Sequence, residues 1–399
     1  MTLAVVSTHP IQYHAPVYRA LQTQFGVPVT AIYGSDFSVV GYHDREFGAD
    51  FAWDTDLLTG YTSIFLSQVA HGGAKSVEEI TADGVGRALR QIRPRALLLI
   101  GYSDRLYHAA FWQARQLHLP LLFRAEVTDH ALARSQIKSV LRDQMLAFLY
   151  RRCSTLLYIG QHSQAHYRRL GCPEEKLIFS PYCVDTAPFQ TDERARERLR
   201  NVTRARLNLN DEQPIILFCG KLSERKGPDL IIEAVKQFPT ATREQTVVLF
   251  LGDGDMRPAL NAMAASSPAV KTRFVGFQNQ HALSQYYHAA DLLVLPSRQG
   301  ETWGLVVNEA LHHGLPCVVS DAVGCAPDLV QAEVTGEVFR SGQSNDLSHA
   351  LMRVMSMPND ESRRTRCRQQ VEGYTVNRAA QGIAQAYAHV TLRVSGGPA

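Results

Sequence analysis

The feature that most constrains the fold is an alternation of short apolar, β-rich runs with helical patterns, and it occurs twice. Each run is about as long as one strand of a buried parallel sheet. In the first half we predict strands at Leu3–Val6, Val27–Tyr33, Ala96–Ile100, Leu119–Phe123, Thr155–Ile159 and Lys176–Phe179. In the second half we predict strands at Ile215–Cys219, Thr246–Leu251, Arg273–Val275, Leu292–Leu295 and Cys317–Val319. The alternation predicts an α/β protein of two Rossmann-like, doubly wound domains that face each other across a cleft.

The length of the chain supports two domains, because 399 residues exceed what a single hydrophobic core usually holds. We place the first domain at residues 1–190, a linker at 191–213 and the second domain at 214–375. The linker carries the sequence DERARERLRNVTRARL, in which acids and arginines lie at helical spacing. This pattern favours a solvated helix paired within itself, and an anion-binding segment is the alternative.

Composition excludes several classes of protein. A net charge of +3 is too small to indicate nucleic-acid binding by itself. The seven cysteines are scattered without a CxxC pair, which favours buried thiols in a reducing cytoplasm. The chain opens directly on a strand-like run, and its longest apolar runs fall short of the ~20 residues that span a bilayer. We therefore expect a cytoplasmic protein without a signal peptide.

The stretch from Val294 to Asp321 reads as strand, loop, helix and strand, and it contains Glu301 and Glu309. A helix N-terminus attracts anions through its free N–H groups and its dipole. A carboxylate one turn further along the helix can accept hydrogen bonds from paired hydroxyls, such as those of a ribose. This spacing suits a sugar nucleotide. The alternative is that Glu301 complements the helix dipole while Glu309 lies on a solvated face.

The motif ETWGLVVNEA followed by GLPCVVSD resembles the signature of family-4 glycosyltransferases, which are retaining enzymes of the GT-B fold. The resemblance implies that Glu309 holds the ribose of a nucleoside-diphosphate sugar. It also implies that Glu301 and the backbone next to it position the sugar or its β-phosphate. The backbone groups meant here are those of Thr302, Trp303, Gly304 and Leu305. A C-terminal helix near 376–393 is expected, by the same resemblance, to pack back on the first domain.

A second motif, CGKLSERKGPDL, places cations between a strand that ends near Gly220 and the next helix. Lys221, Arg225 and Lys226 there form either a diphosphate site or a solvated loop. The family resemblance implies that Lys226 and the residue at position 221 bind the diphosphate. Relatives commonly have Arg at position 221, and Lys keeps the charge without the bidentate geometry. In related enzymes a loop such as VGFQ lines the base, so Phe277 is either a base contact or a core residue.

The first domain offers polar side chains after two of its strands. His9, Gln12, Tyr13 and His14 follow the first strand, where relatives often have a glycine-rich turn, and an HPIQY-like loop resembles a subset of the family. The other side chains follow the strand at 119–123 and are Arg124, Glu126 and His130. We favour Glu126 over His130 for contact with the transferred sugar or the acceptor hydroxyl. An ion pair of Glu126 with Arg124 or Arg134 is the alternative.

Positive charge is concentrated between Arg87 and Arg152, where twelve basic residues stand against four acidic ones. The helical pattern near 134–151 interleaves bases with apolar residues. Its functional interpretation is attraction to an anionic membrane or to a phosphorylated acceptor. The other interpretation is an ordinary core-facing helix with a basic outer face.

Together these features predict a retaining transferase that moves a hexose-type sugar from a UDP- or GDP-linked donor to a hydroxyl acceptor. The acceptor is a saccharide, a lipid-linked saccharide or a small molecule. Lys226, Lys221, Glu301 and Glu126 are the predicted catalytic residues. We expect no cofactor and no metal, because no DxD-like pair lies where the phosphates are expected. A sugar-nucleotide epimerase and a non-catalytic nucleotide-sugar-binding subunit are the alternatives.

Overall fold

The computed structural model describes residues 2–44, 49–51, 53–129, 136–210 and 212–395. The first half contains strands β1 (Leu3–Ser7), β2 (Val29–Ser35), β3 (Tyr42–Asp44), β4 (Ala49–Phe51), β5 (Thr62–Ser67), β6 (Ala96–Leu99), β7 (Leu121–Phe123), β8 (Thr155–Tyr158) and β9 (Leu177–Phe179). Its helices are α1 (Ala15–Phe25), α2 (Phe37–Val40), α3 (Val85–Ile92), α4 (Arg105–Gln116), α5 (Gln136–Arg152) and α6 (Gln161–Arg169).

The second half contains strands β10 (Ile215–Cys219), β11 (Val247–Leu251), β12 (Lys271–Gly276), β13 (Leu292–Leu295), β14 (Cys317–Ser320) and β15 (Gly336–Phe339). Its helices begin with α7 (Glu193–Arg206), α8 (Asp229–Lys236), α9 (Thr240–Gln245), α10 (Arg257–Ala265) and α11 (Gln280–Ala289). They continue with α12 (Leu305–His312), α13 (Ala326–Leu329), α14 (Ser344–Ser356), α15 (Glu361–Val371) and α16 (Val376–Ser395).

Two parallel sheets organise the molecule. The first has strand order β5-β2-β1-β6-β7-β8-β9, and the second has order β12-β11-β10-β13-β14-β15. In both, the first strand in sequence lies inside the sheet and the order reverses beside it. Ligands in doubly wound sheets bind at such reversal points, beyond the carboxyl ends of the strands. The predicted α/β fold with two Rossmann-like domains is confirmed.

Helices cover both faces of each sheet, which explains why the strands read as continuous apolar runs. In β1, Ala4 and Val6 pack into one core cluster, whereas Leu3 and Val5 pack into another on the opposite face. Strand β10 divides its side chains between two clusters in the same way. Since both faces are buried, the inner strands are mostly apolar, and polar residues within them, such as Ser7 and Thr155, are buried as well.

Three strand features were not predicted from the sequence. The edge strands β5 and β15 and the antiparallel hairpin β3–β4 carry more polar residues than the inner strands. Side chains of β5 are partly or fully exposed, and Glu337 lies within β15. An edge strand is hydrogen-bonded on one side only, so its apolar pattern is weaker.

Helix α7 occupies the segment that was predicted to be a linker, and it packs on α11. Its charges bind outside the helix. Arg200 and Arg204 each form an ion pair of 2.7 Å with Asp291, while Glu193 binds Arg364 and Arg368. The prediction of a self-paired, solvated helix is therefore wrong, because tertiary partners replace the pairs within the helix.

Helix α16 returns to the first domain and packs along α1. Its apolar residues join the core cluster that contains Leu3 and Val5. The helix approaches β9 so closely that a Cβ atom at Gly382 would lie 2.1 Å from the carbonyl oxygen of Phe179. The two domains are thus connected twice by the chain. No helix in the described ranges is long and apolar enough to cross a bilayer.

Candidate active site

The carboxyl ends of β10 and β11 form the floor of a cleft in the second domain. The backbone turns at Gly220 and Gly252 touch each other, and a Cβ atom at Gly252 would lie 1.9 Å from the Gly220 carbonyl oxygen. Both residues also have positive φ angles, of 147° and 137°. Only glycine fits here, so a ligand can approach the backbone of these turns closely.

Glu301 and Lys226 form an ion pair at the edge of this floor. Arg225 Nη1 lies 3.8 Å from Glu301 Oε2, and the Ser297 hydroxyl donates to the same oxygen at 2.9 Å. Arg225 also donates to the Gly300 carbonyl at 3.2 Å. Although these residues lie on separate loops, they form one partly buried charge cluster. The sequence predicted both charged groups as site residues but did not predict that they bind each other.

Glu309 is buried in the first turns of α12, and only 2% of it is exposed. The Tyr287 hydroxyl donates to Glu309 Oε2 at 2.5 Å. Burial raises the pKa of Glu309 to about 7, and the hydrogen bonds from Tyr287 and Gln280 oppose this rise. The solvated position that was the alternative for Glu309 is wrong. Near neutral pH this carboxyl group exchanges between a proton donor and a charged acceptor.

A cavity of about 110 Å³ lies between the two domains above Gly220 and Glu309. Gln12, Tyr13 and Trp53 line it from the first domain, and Phe277 lines it from the second. A larger cavity of about 230 Å³ shares Gln12, Tyr13 and Gln280 with it. Beside this second cavity, His281 binds Asp54 across the cleft at 3.0 Å. The predicted residues Gly220, Glu309, Phe277, Gln12 and Tyr13 are therefore brought together.

Tyr13 lies close enough to Glu309 and Glu301 for their charges to act on its hydroxyl group. Burial, and then the negative charges of Glu309 and Glu301, raise the pKa of the Tyr13 phenol. This hydroxyl is thus a neutral donor that faces the charged groups of the second domain.

The two histidines of the same loop differ in depth: His14 is buried, whereas His9 is partly exposed, as Tyr13 is. Burial lowers the pKa of His9 to about 4 and that of His14 to about 3, and the charge of Arg124 contributes to the shift of His14. The imidazole of His9 packs on Phe37, with 4.6 Å between ring centroids. Within the described chain, His14 Nδ1 and Gln12 Oε1 are buried and have no hydrogen-bond partner. Both histidines are neutral at pH 7, so they can donate or accept one hydrogen bond but carry no charge.

Glu126 connects the domains. Its two oxygens accept hydrogen bonds from the Tyr182 hydroxyl and from the Thr302 hydroxyl, which belongs to the loop after Glu301. Its side chain is nevertheless exposed to the cleft. Glu126 of the first domain therefore meets the second-domain loop that contains Glu301 and Thr302.

Arg124 has a structural environment. Its guanidinium donates to the carbonyls of Ser180 and Pro181, at 3.1 and 2.7 Å, and stacks 5.0 Å from the ring centroid of Tyr182. The expected alternative of an ion pair with Glu126 is wrong, because both groups bind other partners. His130 lies outside the described residues.

The loop before α12 holds the remaining predicted residues. Gly304 has a φ of 99°, and a Cβ atom there would lie 2.9 Å from Leu295, so the turn requires glycine. Trp303 is buried between the domains, where it packs against Tyr182 and Tyr374 and bonds to Asn308. The Thr302 hydroxyl and the backbone of this loop, which leads into Leu305, are left to face the cleft. Lys221 lies beside Gly220 at the end of β10.

Comparison with known proteins identifies this second domain. Residues 200–372 match the family described as glycosyl transferases group 1. The match lies within the second domain and covers less than half of the chain. The glycine turns, the Lys226–Glu301 pair and Glu309 all lie within it.

Individual relatives agree with this assignment. The chain is 34% identical over 167 residues to a sulfoquinovosyl transferase of Arabidopsis thaliana. The aligned stretch covers 41% of this chain and 30% of the relative. It is 30% identical over 240 residues to a D-inositol 3-phosphate glycosyltransferase of Xylanimonas cellulosilytica. Here the aligned stretch covers 57% of this chain and 54% of the relative. The chain thus spans from 30% to 54% of the length of these proteins.

The fold of the whole chain is the GT-B fold. HepE of Anabaena, solved in complex with UDP, superposes with a TM-score of 0.71 over 98% of this chain and 100% of its own, at 16% identity. This likeness of fold covers both domains, including the first domain, which lies outside the family match.

Sequence reasoning missed two tyrosines of the candidate site. Tyr287 lies on α11, 22 residues before its partner Glu309, and Tyr182 lies in the segment that connects the domains. Neither belongs to a motif. Their only signal in the sequence is a hydroxyl-bearing ring among apolar residues, which is also typical of an ordinary core tyrosine.

Proposed function

We propose that this chain is a retaining glycosyltransferase that moves a hexose-type sugar from a UDP- or GDP-linked donor to a hydroxyl acceptor. One observation carries the proposal. Glu309, the glycine turns and the loop of Phe277 line a single interdomain cavity beside the partly buried Lys226–Glu301 pair. A nucleoside diphosphate has a diol, a planar base and a diphosphate, and this site offers a group that suits each of them.

The ribose and the base would fill the cavity of about 110 Å³. Glu309 accepts from Tyr287 and from Gln280, and a carboxylate has further lone pairs that are suited to accept from a ribose hydroxyl. Trp53 and Phe277 line the cavity from opposite domains, so the base would lie between two aromatic rings. Closure of the domains on the base would follow from this arrangement.

The diphosphate would bind at Lys226, with help from Lys221 and Arg225, next to the free N–H groups that begin α12. In this structure Glu301 neutralises Lys226. An incoming diphosphate would compete for Lys226 and release the Glu301 carboxylate towards the hydroxyls of the sugar. Charge that builds on the departing diphosphate would then meet lysine and helix-end donors, and such stabilisation is often the largest catalytic contribution.

The transferred sugar would reach across the cleft to Glu126, Tyr13 and His14. In a retaining transfer of this kind the acceptor hydroxyl attacks from the side of the leaving group and gives its proton to a phosphate oxygen. Glu126 then orients the acceptor or the sugar rather than serving as an obligatory base. Because lysines and helix-end donors carry the diphosphate, we propose that transfer requires neither a metal ion nor a cofactor, and chelation should leave the rate unchanged.

Named relatives support the donor class. HepE of Anabaena was solved with UDP and with UDP-glucose, and the sequence relatives are named as transferases of sugars. The acceptor would be a saccharide, a lipid-linked saccharide or a small molecule that carries a hydroxyl group.

A thermal-shift panel of UDP-, GDP-, ADP- and dTDP-sugars tests the proposal. A donor present at 100 times its Kd stabilises the native state by about 2.7 kcal/mol, which is a clear rise in Tm. We expect one donor to raise Tm in the natural protein but not in the Glu309→Ala variant, with exposed Glu175→Ala as the control. The absence of a shift with every donor would contradict the proposal. Conversion of the donor to an isomer without an acceptor would identify an epimerase, and binding without turnover on a range of acceptors would identify a sensor subunit.

A further inference from the structure

The outer side of α4 and α5 exposes an apolar patch on the first domain. Nine large hydrophobic residues of the described chain are exposed, and five of them lie here. They are Trp112 on α4, and Ile137, Val140, Leu141 and Met145 on α5, whose exposed fractions range from 46% to 75%. Since single exposed apolar residues are ordinary but a contiguous group is not, this patch requires an explanation.

The patch is a continuous stripe rather than a chance group. Ile137, Leu141 and Met145 are spaced four residues apart, so they lie on one face of α5, and Val140 lies beside them. The opposite face of the same helix packs inwards through Leu146 and Tyr150. Helix α5 is therefore apolar on two sides. The expectation of a core-facing helix with a basic outer face is wrong for its first half.

An apolar cavity opens beneath the patch. It measures about 170 Å³ and lies between α4 and α5, with Trp112, Met145 and Phe148 among its walls. The indole of Trp112 packs on Phe111 and Phe148, at 5.2 and 6.3 Å between centroids. The cavity reaches Leu99 at the carboxyl end of β6. The neighbouring strand is β7, and Glu126 lies just after its carboxyl end. It thus adjoins the first-domain edge of the cleft.

Basic side chains surround the patch. Lys138 is exposed next to Ile137, and Arg105 and Arg115 are exposed on the same side of α4 as Trp112. Arg152 lies near the end of α5, and its guanidinium carbon is 3.4 Å from the ring centroid of Phe148. The acid on this helix, Asp143, is already paired with Arg169 and Arg142. The surroundings of the patch are therefore positively charged.

We propose that this apolar patch docks the protein on an anionic lipid bilayer. Exposed aliphatic side chains and a tryptophan would enter the interface between headgroups and acyl chains, while the surrounding lysine and arginines bind the headgroups. A second copy of this chain is a poor occupant, because the pairing of two such surfaces would bring like charges together. The cavity under Trp112 offers space for part of one acyl chain. Docking in this orientation sets the cleft edge that contains Glu126 close to the membrane.

Flotation of the full-length protein with lipid vesicles tests the proposal without any need for sugar transfer. Vesicles of phosphatidylcholine alone are compared with vesicles that also contain phosphatidylglycerol, at low and at high salt. We expect the protein to float with the anionic vesicles and to dissociate as salt is raised. Ile137→Ser with Leu141→Ser should weaken binding about tenfold or more, and Lys138→Gln should weaken it about fivefold.

The matched control replaces two exposed apolar residues elsewhere, Val202→Ser on α7 with Leu392→Ser on α16, and should float like the natural protein. Circular dichroism and Tm establish that the patch variants remain folded, as expected for exposed positions. Equal loss in the control, or no flotation of the natural protein with anionic vesicles, would overturn the proposal. So would a natural dimer in solution that the patch substitutions dissociate. Because flotation does not depend on transfer, failure of the proposed donor chemistry leaves this test unaffected.

Discussion

The two edges that face the cleft are built in different ways. The second-domain edge gathers charged groups from loops that each follow a strand, and its acids already have partners: Glu301 has Lys226 and Glu309 has Tyr287. The first-domain edge offers neutral imidazoles, partly buried at His9 and buried at His14, together with the exposed acids Glu126 and Asp54. The second-domain edge is thus organised around buried, partnered acids before any ligand arrives, whereas the first-domain edge presents neutral rings and solvent-exposed acids. We interpret the second-domain edge as the donor side and the first-domain edge as the side that adapts to an acceptor.

Removal of the lysine on the organised side should have the largest effect. Lys226→Ala should lower kcat by about 10²–10³, because charge on the departing diphosphate loses its main cation and Glu301 is left without its partner. Steady-state transfer from the donor found in the thermal-shift panel measures this change.

The control for this experiment is Lys236→Ala on α8, which removes a partly exposed lysine paired with Glu233. A rate within twofold of the natural protein for Lys226→Ala would show that the organised edge does not contain the chemistry.

The proton on Glu309 should have the next largest effect, on stability. The folded state holds this proton up to a pKa of about 7, whereas the ordinary value is 4.5. The folded state is therefore penalised as pH rises between these values, and the penalty is complete above pH 7. Glu309→Gln removes it, so the variant should be more stable than the natural protein by up to about 3 kcal/mol at pH 8, with a small difference at pH 5. Urea unfolding at the two pH values measures this gain.

Glutamine keeps an oxygen that accepts from the Tyr287 hydroxyl, so this substitution isolates the charge. Exposed Glu175→Gln, which changes the same charge on the surface, should show no such pH dependence. A stability gain for Glu309→Gln that is the same at both pH values would contradict a proton held to about pH 7 by burial.

The smallest effect should come from the adaptable edge. Glu126→Gln should slow transfer about tenfold while the Kd for the free nucleotide stays unchanged, because Glu126 is proposed to orient the sugar or the acceptor. Kinetics with varied acceptor, together with nucleotide titration, separate the two quantities.

Exposed Glu174→Gln controls for a charge change on the same domain. A loss of nucleotide affinity as large as the loss of rate would place Glu126 on the donor side and erase the difference between the edges.

The same difference explains what the sequence could predict. The fold was accessible because sheets that are buried on both faces require apolar inner strands, while the edge strand β5 and the hairpin β3–β4 lack that signal. On the second-domain edge, strand, loop and helix follow one another within short segments, so Glu301, Glu309 and Lys226 could be placed by local pattern.

On the first-domain edge, the environments depend on contacts that are distant in sequence. Glu126 meets Thr302 across 176 positions, and Arg124 binds carbonyls 56 and 57 positions away. No local pattern encodes such contacts. The outer apolar side of α5 was missed for another reason, because a hydrophobic residue on a helix is normally assigned to the core.

The return of α16 to α1 has a consequence for biosynthesis. Ala380 and Ile383 complete a cluster whose other members include Leu3 and Val5, yet the ribosome makes them after the whole second domain. Until α16 has been synthesised, the apolar groove along α1 therefore stays exposed to solvent, and chaperones are able to bind there. A nascent chain stalled before residue 376 should remain sensitive to protease in the first domain while the second domain is already resistant.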